Sequence, residues 1–187
     1  MKTFLSSAKE VAQIAVMVAL LLGGQLALSS VGGVEVVTIL LLAYCYVFGW
    51  QRGTIVALAF VLLRNFVFGL HLPALVLYAI YYPSFALFWG SIGKKIKSVW
   101  ALVAVACICT IIFTCLDNVI QPIFNFFSPY VKWNCRATWL YITASIPFAL
   151  VQTLCTFFSV LLLFKPITKI FFVIDNGNNA TKNLQRK

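Results

Sequence analysis

The chain has 187 residues, 63% of them hydrophobic and only 10% charged, with a formal net charge of +10 and a mean hydropathy of +1.00. A water-soluble domain of this length must keep its surface wettable, and this composition excludes one. Crossing a hydrocarbon layer takes roughly 20 apolar residues per helix, which leaves room for about six crossings and no separate soluble domain.

Charges and turn residues divide the apolar mass into segments. The first covers 11–28 and closes at Ser29-Ser30 and Gly32-Gly33. Its apolar stretch is long for a signal core, and 26–33 lacks a convincing small-x-small cleavage site, so it reads as a membrane helix. A shorter second segment covers 34–50 and ends at Gln51-Arg52-Gly53. The third covers 54–70 and is broken by His71-Leu72-Pro73; the fourth covers 74–92 and ends in Lys94-Lys95-Ile96-Lys97. A long fifth segment begins near Val99 and fades into 122–134, and the sixth covers 137–164, before Lys165-Pro166. In lipid each backbone polar group must be satisfied within its own segment, which selects helices. The alternation of a membrane barrel strand is absent. The expected class is an all-α integral membrane protein with six transmembrane helices. They form one membrane domain over 1–174, and 175–187 is a polar, basic, disordered tail.

Basic residues set the orientation. With the amino terminus inside, Lys2, Lys9, Arg52, Lys94, Lys95, Lys97, Lys165, Lys169, Lys182, Arg186 and Lys187 all face the cytoplasm, and only Lys132 and Arg136 fall outside. Both termini are therefore expected in the cytoplasm. The positive charge is spread over separate loops instead of one face, so nucleic acid is not an expected partner.

Within the first segment, Ala8, Ala12, Ala15 and Ala19 follow spacings of four, three and four and share one helix face. Small residues let membrane helices approach closely, so this stripe suits either the chain's own helices or a partner protein near the cytoplasmic end. Two ionisable residues lie at membrane depth: Arg64 in the third segment and Asp117, beside Asn118, in the fifth. Such charges face the protein interior, where these two either pair or line a polar cavity. Glu35, at the start of the second segment, fits a helix-start carboxylate. Tyr78, Tyr81 and Tyr82 occupy the outer half of the fourth segment, while Gln121, Asn125, Trp133, Asn134, Arg136, Trp139 and Tyr141 gather around the fifth-to-sixth connection. Singly these rings fit an aromatic belt at the membrane interface. As a set of rings and amides they fit a small-molecule pocket.

The six cysteines carry no metal spacing and read as small buried hydrophobes; Cys135 is expected outside. No metal site or other cofactor is expected. No zincin, phosphotransfer, nucleophile-elbow or Walker motif is present, so no catalytic residues are assigned and an enzyme is not expected.

Several stretches resemble one family. They are Ala12-Gln13-Ile14-Ala15 through Gly24-Gln25-Leu26-Ala27-Leu28, Val34-Glu35-Val36-Val37-Thr38, Val47-Phe48-Gly49-Trp50, Phe60-Val61-Leu62-Leu63 with Phe68-Gly69, and Tyr78 to Pro83. They look like the substrate-binding S components of energy-coupling factor (ECF) transporters, over most of the first four helices. The resemblance implies a six-helix membrane subunit of a bacterial or archaeal cell membrane. Such a subunit captures a vitamin or related micronutrient outside and delivers it inward with a transmembrane scaffold subunit and two ABC ATPases. It also implies that the Ala-xxx-Ala pattern, here Ala15 and Ala19 within the Ala8, Ala12, Ala15, Ala19 stripe, meets the scaffold. The pocket would lie toward the outer side, where Arg64, Tyr78, Tyr82, Asp117, Asn118, Gln121, Asn125, Trp133, Asn134, Arg136 and Trp139 are the candidates. Val34-Glu35-Val36-Val37-Thr38 resembles the branch that includes cobalamin carriers. The start Met1-Lys2-Thr3 lacks the Met-x-His arrangement of the nickel and cobalt members. Two other classes compete. A structural membrane protein similar to the rod-shape protein MreD explains topology and stripe but gives Arg64, Asp117 and the outer amides no task. An intramembrane enzyme would need a nucleophile or metal ligand beside Arg64 and Asp117, and none is present.

Overall fold

The computed structural model describes residues 8–29, 36–96, 98–128 and 134–184, with side chains described as far as 176. Glu35, Lys132 and Trp133 lie outside the described residues. Every described element is helical: α1 (Ala8–Ala27), α2 (Val37–Phe48), α3 (Trp50–Phe68), α4 (Leu72–Ile92), a 3-10 turn (Gly93–Lys95), α5 (Val99–Phe126) and α6 (Cys135–Leu184). Five of these, α2 excepted, are long and apolar enough to cross a membrane. The chain is all-α with the character of a multi-pass membrane protein. Its exposed surface agrees: Phe66 is 86% exposed, Phe127 79% and Leu70 72%, and apolar groups in that number are compatible with lipid and not with water.

The expected second segment resolves into something shorter. α2 has 12 residues and rises about 18 Å, against about 30 Å of hydrocarbon. It is the most enclosed helix. Leu41, Leu42, Ala43 and Cys45 are fully buried, and α2 packs against α1, α3, α4 and α6. Around it α1, α3, α4, α5 and α6 follow one another as neighbours. The ring is completed by a groove of about 240 Å³ between α1 and α6, floored by Tyr44 and Phe48 of α2.

Local chemistry explains the helix ends. Pro73 occupies the first turn of α4, where its missing N–H costs nothing. Gly49 alone joins α2 to α3, with φ +85° and ψ 177°, a conformation that L side chains rarely adopt. The last helix departs from expectation: α6 passes Lys165-Pro166 and Ile174 and runs to Leu184. Pro166 removes one backbone N–H bond, yet the helix on both sides of it is held by packing. The rings of Tyr46 and Phe164 lie 5.2 Å apart and those of Tyr44 and Phe171 5.9 Å apart, both edge to face.

Contacts also pair the helix ends. The start of α1 meets the start of α3 through Glu10 and Arg52, and Asp175 of α6 lies beside the same arginine. The end of α4 reaches this region too, because a Cβ at Gly90 would collide with the backbone of Trp50. This is the basic end, carrying Lys9, Lys94 and Lys95. At the opposite end Gln25 of α1 meets Tyr78 of α4. Replacing Gly90 by valine is expected to destabilise the protein by about 1–3 kcal/mol through overpacking. Gly23→Ala, with nothing within 4 Å of the added carbon, is expected to lose nothing. Thermal melts in one detergent compare the two.

Candidate functional site

Tyr78 organises the end opposite the basic one. Its helix places Tyr78 and Tyr82 four residues apart on one face, with ring centroids 5.0 Å apart. The guanidinium carbon of Arg64 stands 4.0 Å from the centroid of Tyr78 and 5.1 Å from that of Phe68. An arginine over a ring face is attracted by the ring's quadrupole. Gln25 donates from Nε2 to the Tyr78 hydroxyl at 3.2 Å. Three helices, α1, α3 and α4, thus converge on one ring.

Gln25 Oε1 and Arg64 Nε, on two side chains that meet this ring, are sealed without a hydrogen-bond partner among the described residues, as is Oδ1 of Asn65, the residue after Arg64 in α3. Asn65 uses its other side-chain atom locally, donating from Nδ2 to the carbonyl of Val61 at 2.6 Å. Buried polar atoms are normally satisfied. Gln13 Oε1, the Tyr44 hydroxyl and Trp89 Nε1 are left unpartnered elsewhere in the bundle, and those of Gln25 and Arg64 stand out because both side chains meet one ring. Behind Tyr78 the surface is aromatic and dry. Phe113 of α5 meets Tyr78 at 5.7 Å and Tyr81 at 4.8 Å, Phe60 meets Tyr82 at 5.3 Å, and Tyr82 is 1% exposed. Tyr82 is therefore a core residue that backs the site. The Tyr81 hydroxyl donates to the carbonyl of Cys109 at 3.1 Å.

Arg64 and Asp117 do not pair. Asp117 Oδ2 accepts a 2.6 Å hydrogen bond from the Tyr141 hydroxyl, which ties α5 to α6. Asn118 Oδ1 is sealed and unpartnered on the same turn of α5. The candidates near the α5-to-α6 connection divide. Asn134 caps α6, its Oδ1 accepting from the Ala137 backbone N–H at 2.9 Å, the usual work of an asparagine at a helix start. Arg136 is exposed, and Trp139 is 69% exposed, which suits an interface ring. Gln121 and Asn125 are half-buried on α5 and are not among the side chains seen to converge on Tyr78, so the convergence is narrower than the full candidate set. Gln25 and Asn65 were not singled out by the sequence reading. Their signal was present: each is an amide within a run of apolar residues.

The basic end carries a different arrangement. Glu10, 4% exposed, accepts at 2.7 Å from Arg52, whose other nitrogen lies 4.0 Å from Asp175. Ala8, Ala12, Ala15 and Ala19 are all exposed, so the chain's own helices leave this stripe uncovered. The groove between α1 and α6 begins beside it, at Ala12 and Val16. Cys45 is buried, whereas Cys115 and Cys135 are exposed. Among the described residues no three metal-ligating side chains come together.

The Asp117–Tyr141 contact is open to a double-mutant cycle. Tyr141→Phe is expected to cost about 1–3 kcal/mol by leaving a half-buried carboxylate without its donor. Asp117→Asn should shrink that cost, and additive effects of the two changes in unfolding midpoints would show that the bond contributes nothing.

No protein-family model, curated protein or solved structure matches this chain, and its function is read from its own residues.

Proposed function

We propose that this chain is the substrate-capture subunit of an ECF-type importer, binding a vitamin or related organic micronutrient, with cobalamin the favoured candidate. The observation that carries the reading is the convergence of Arg64 and Gln25 on Tyr78, with Arg64 Nε and Gln25 Oε1 sealed and unpartnered among the described residues. A ligand site uses a few placed polar groups against a largely apolar and aromatic wall. The site lies at the end opposite Lys9, Arg52, Lys94 and Lys95. With the basic end in the cytoplasm, α2 counts as the short second of six crossings, both termini lie inside, and the site opens outward.

The exposed alanine stripe supports the second half of the reading. A face of small side chains that the chain's own helices leave bare is suited to close approach by another membrane helix, here the scaffold subunit that links the carrier to two ABC ATPases. No energy-supplying motif lies in this sequence, so ATP hydrolysis belongs to those partners.

Mass spectrometry of small molecules released from the gently purified protein is expected to find one vitamin-like compound at near-stoichiometric amount. An empty protein that also gains no thermal stability from a vitamin panel would overturn capture and favour the MreD-like structural reading. Replacing Ala15 and Ala19 by leucine is expected to abolish co-purification of the scaffold subunit and ATPases while ligand binding by the isolated subunit is unchanged. Retained co-purification would place the contact elsewhere.

A further inference from the structure

Arg64 is a permanent cation whose Nε is sealed from solvent and has no acceptor among the described residues. The ion pairs among the described residues involve Arg52 and not Arg64. Of the described carboxylates, Glu10 and Asp175 lie beside Arg52 and Asp117 accepts from Tyr141. The ring of Tyr78 covers one face of the guanidinium at 4.0 Å. Stacking fixes the plane of the fork but gives its N–H groups nothing to donate to. Arg64 is half-buried; a charge there without a counter-ion among the described residues is costly, and the partner whose geometry matches this fork is a planar or tetrahedral oxyanion, bound by two parallel N–H···O bonds. Gln25, which meets the same ring, has the opposite need: its Oε1 is a sealed acceptor without a donor among the described residues.

We propose that Arg64 is the receptor for an anionic group, carboxylate or phosphate, on the captured ligand, and that Gln25 accepts from an N–H or O–H group of the same molecule. This rests on the capture reading and sharpens it, because it divides micronutrients by charge. The stacked, half-buried guanidinium favours the anionic member of any pair of compounds that differ only at that group. The same oxyanion chemistry is offered by a lipid headgroup, so the test separates the two sources.

The full-length protein is placed in phosphatidylcholine nanodiscs and titrated with matched compounds: biotin and biotin amide, pantothenate and panthenol, nicotinate and nicotinamide, pyridoxine phosphate and pyridoxine. The expected result is that in at least one pair the anion binds about 10- to 100-fold more tightly than its neutral partner, the range for a hydrogen bond to a charged group. Arg64→Gln should erase that preference, and Arg64→Lys, which keeps the charge and controls for folding, should retain part of it. A neutral member that binds as tightly as its anion, equally in wild type and Arg64→Gln, would overturn the anion assignment and leave capture standing. In a parallel arm the nanodiscs contain phosphatidylglycerol, and retained lipid is counted by native mass spectrometry. Anionic lipid held by wild type and lost from Arg64→Gln, with no compound bound, would support the oxyanion receptor and remove the capture reading. No discrimination in either arm would overturn both.

Discussion

A helix enclosed by other helices has no solvent or lipid face to satisfy, so it must be apolar all round, and α2 meets that demand over Val37–Phe48. Its burial against α1, α3, α4 and α6 is the constraint on which the remaining packing depends. Because α2 turns into α3 through Gly49 alone, the last turn of one helix abuts the first turn of the next. A Cβ on Gly53 would come within 2.5 Å of Cys45 Sγ. The absence of a side chain at Gly90 lets α4 cross the same junction against the backbone of Trp50. Small residues at these two points take the place of a hydrophobic driving force, which lipid does not supply.

Two arginines of α3 illustrate how the two ends differ. Arg52 sits among opposite charges, with buried Glu10 at 2.7 Å and Asp175 at 4.0 Å, and lies 5.8 Å from the ring of Phe48. Its charge is answered inside the chain, and the contact ties α1, α3 and α6 together. Arg64, about three turns further along the same helix, has rings where Arg52 has carboxylates. One arginine is a structural clamp. The other is arranged so that its hydrogen-bonding edge is unused.

Segment existence was legible in the sequence because the pattern is physical: apolar runs near bilayer length, cut by charges and turn residues. Pro73 marked the start of α4 for the same reason. What was hidden depended on partners. Pro166 beside Lys165 reads as a stop, and only the packing of Phe164 and Phe171 on α2 explains a helix that continues. Enclosure of α2 was equally invisible, since an apolar run looks alike whether protein or lipid surrounds it. For the site, the tyrosines and Arg64 were legible as unusual residues at depth. Their grouping was not: Asp117 is paired with Tyr141, and Asn134 serves as a cap. A single sequence gives residue type and helix phase, and neither says which helix stands opposite.

The geometry of α1 connects the two ends. Its buried positions Glu10, Ile14, Met17 and Leu21 run two residues out of phase with Ala8, Ala12, Ala15 and Ala19. At about 100° per residue this sets the two rows about 200° apart around the helix. The row that holds α1 to its own bundle is thus nearly opposite the bare alanine row, and a helix approaching the alanines need not displace Glu10 from Arg52. Gln25 lies on the buried side, in contact with Tyr78. A tilt or rotation of α1 would therefore move the alanine face at one end together with Gln25 at the other. No proline interrupts the helix between Ala8 and Ala27, and Gly23-Gly24, just before Gln25, is the point at which the end that meets the site could bend away from the end that meets a partner.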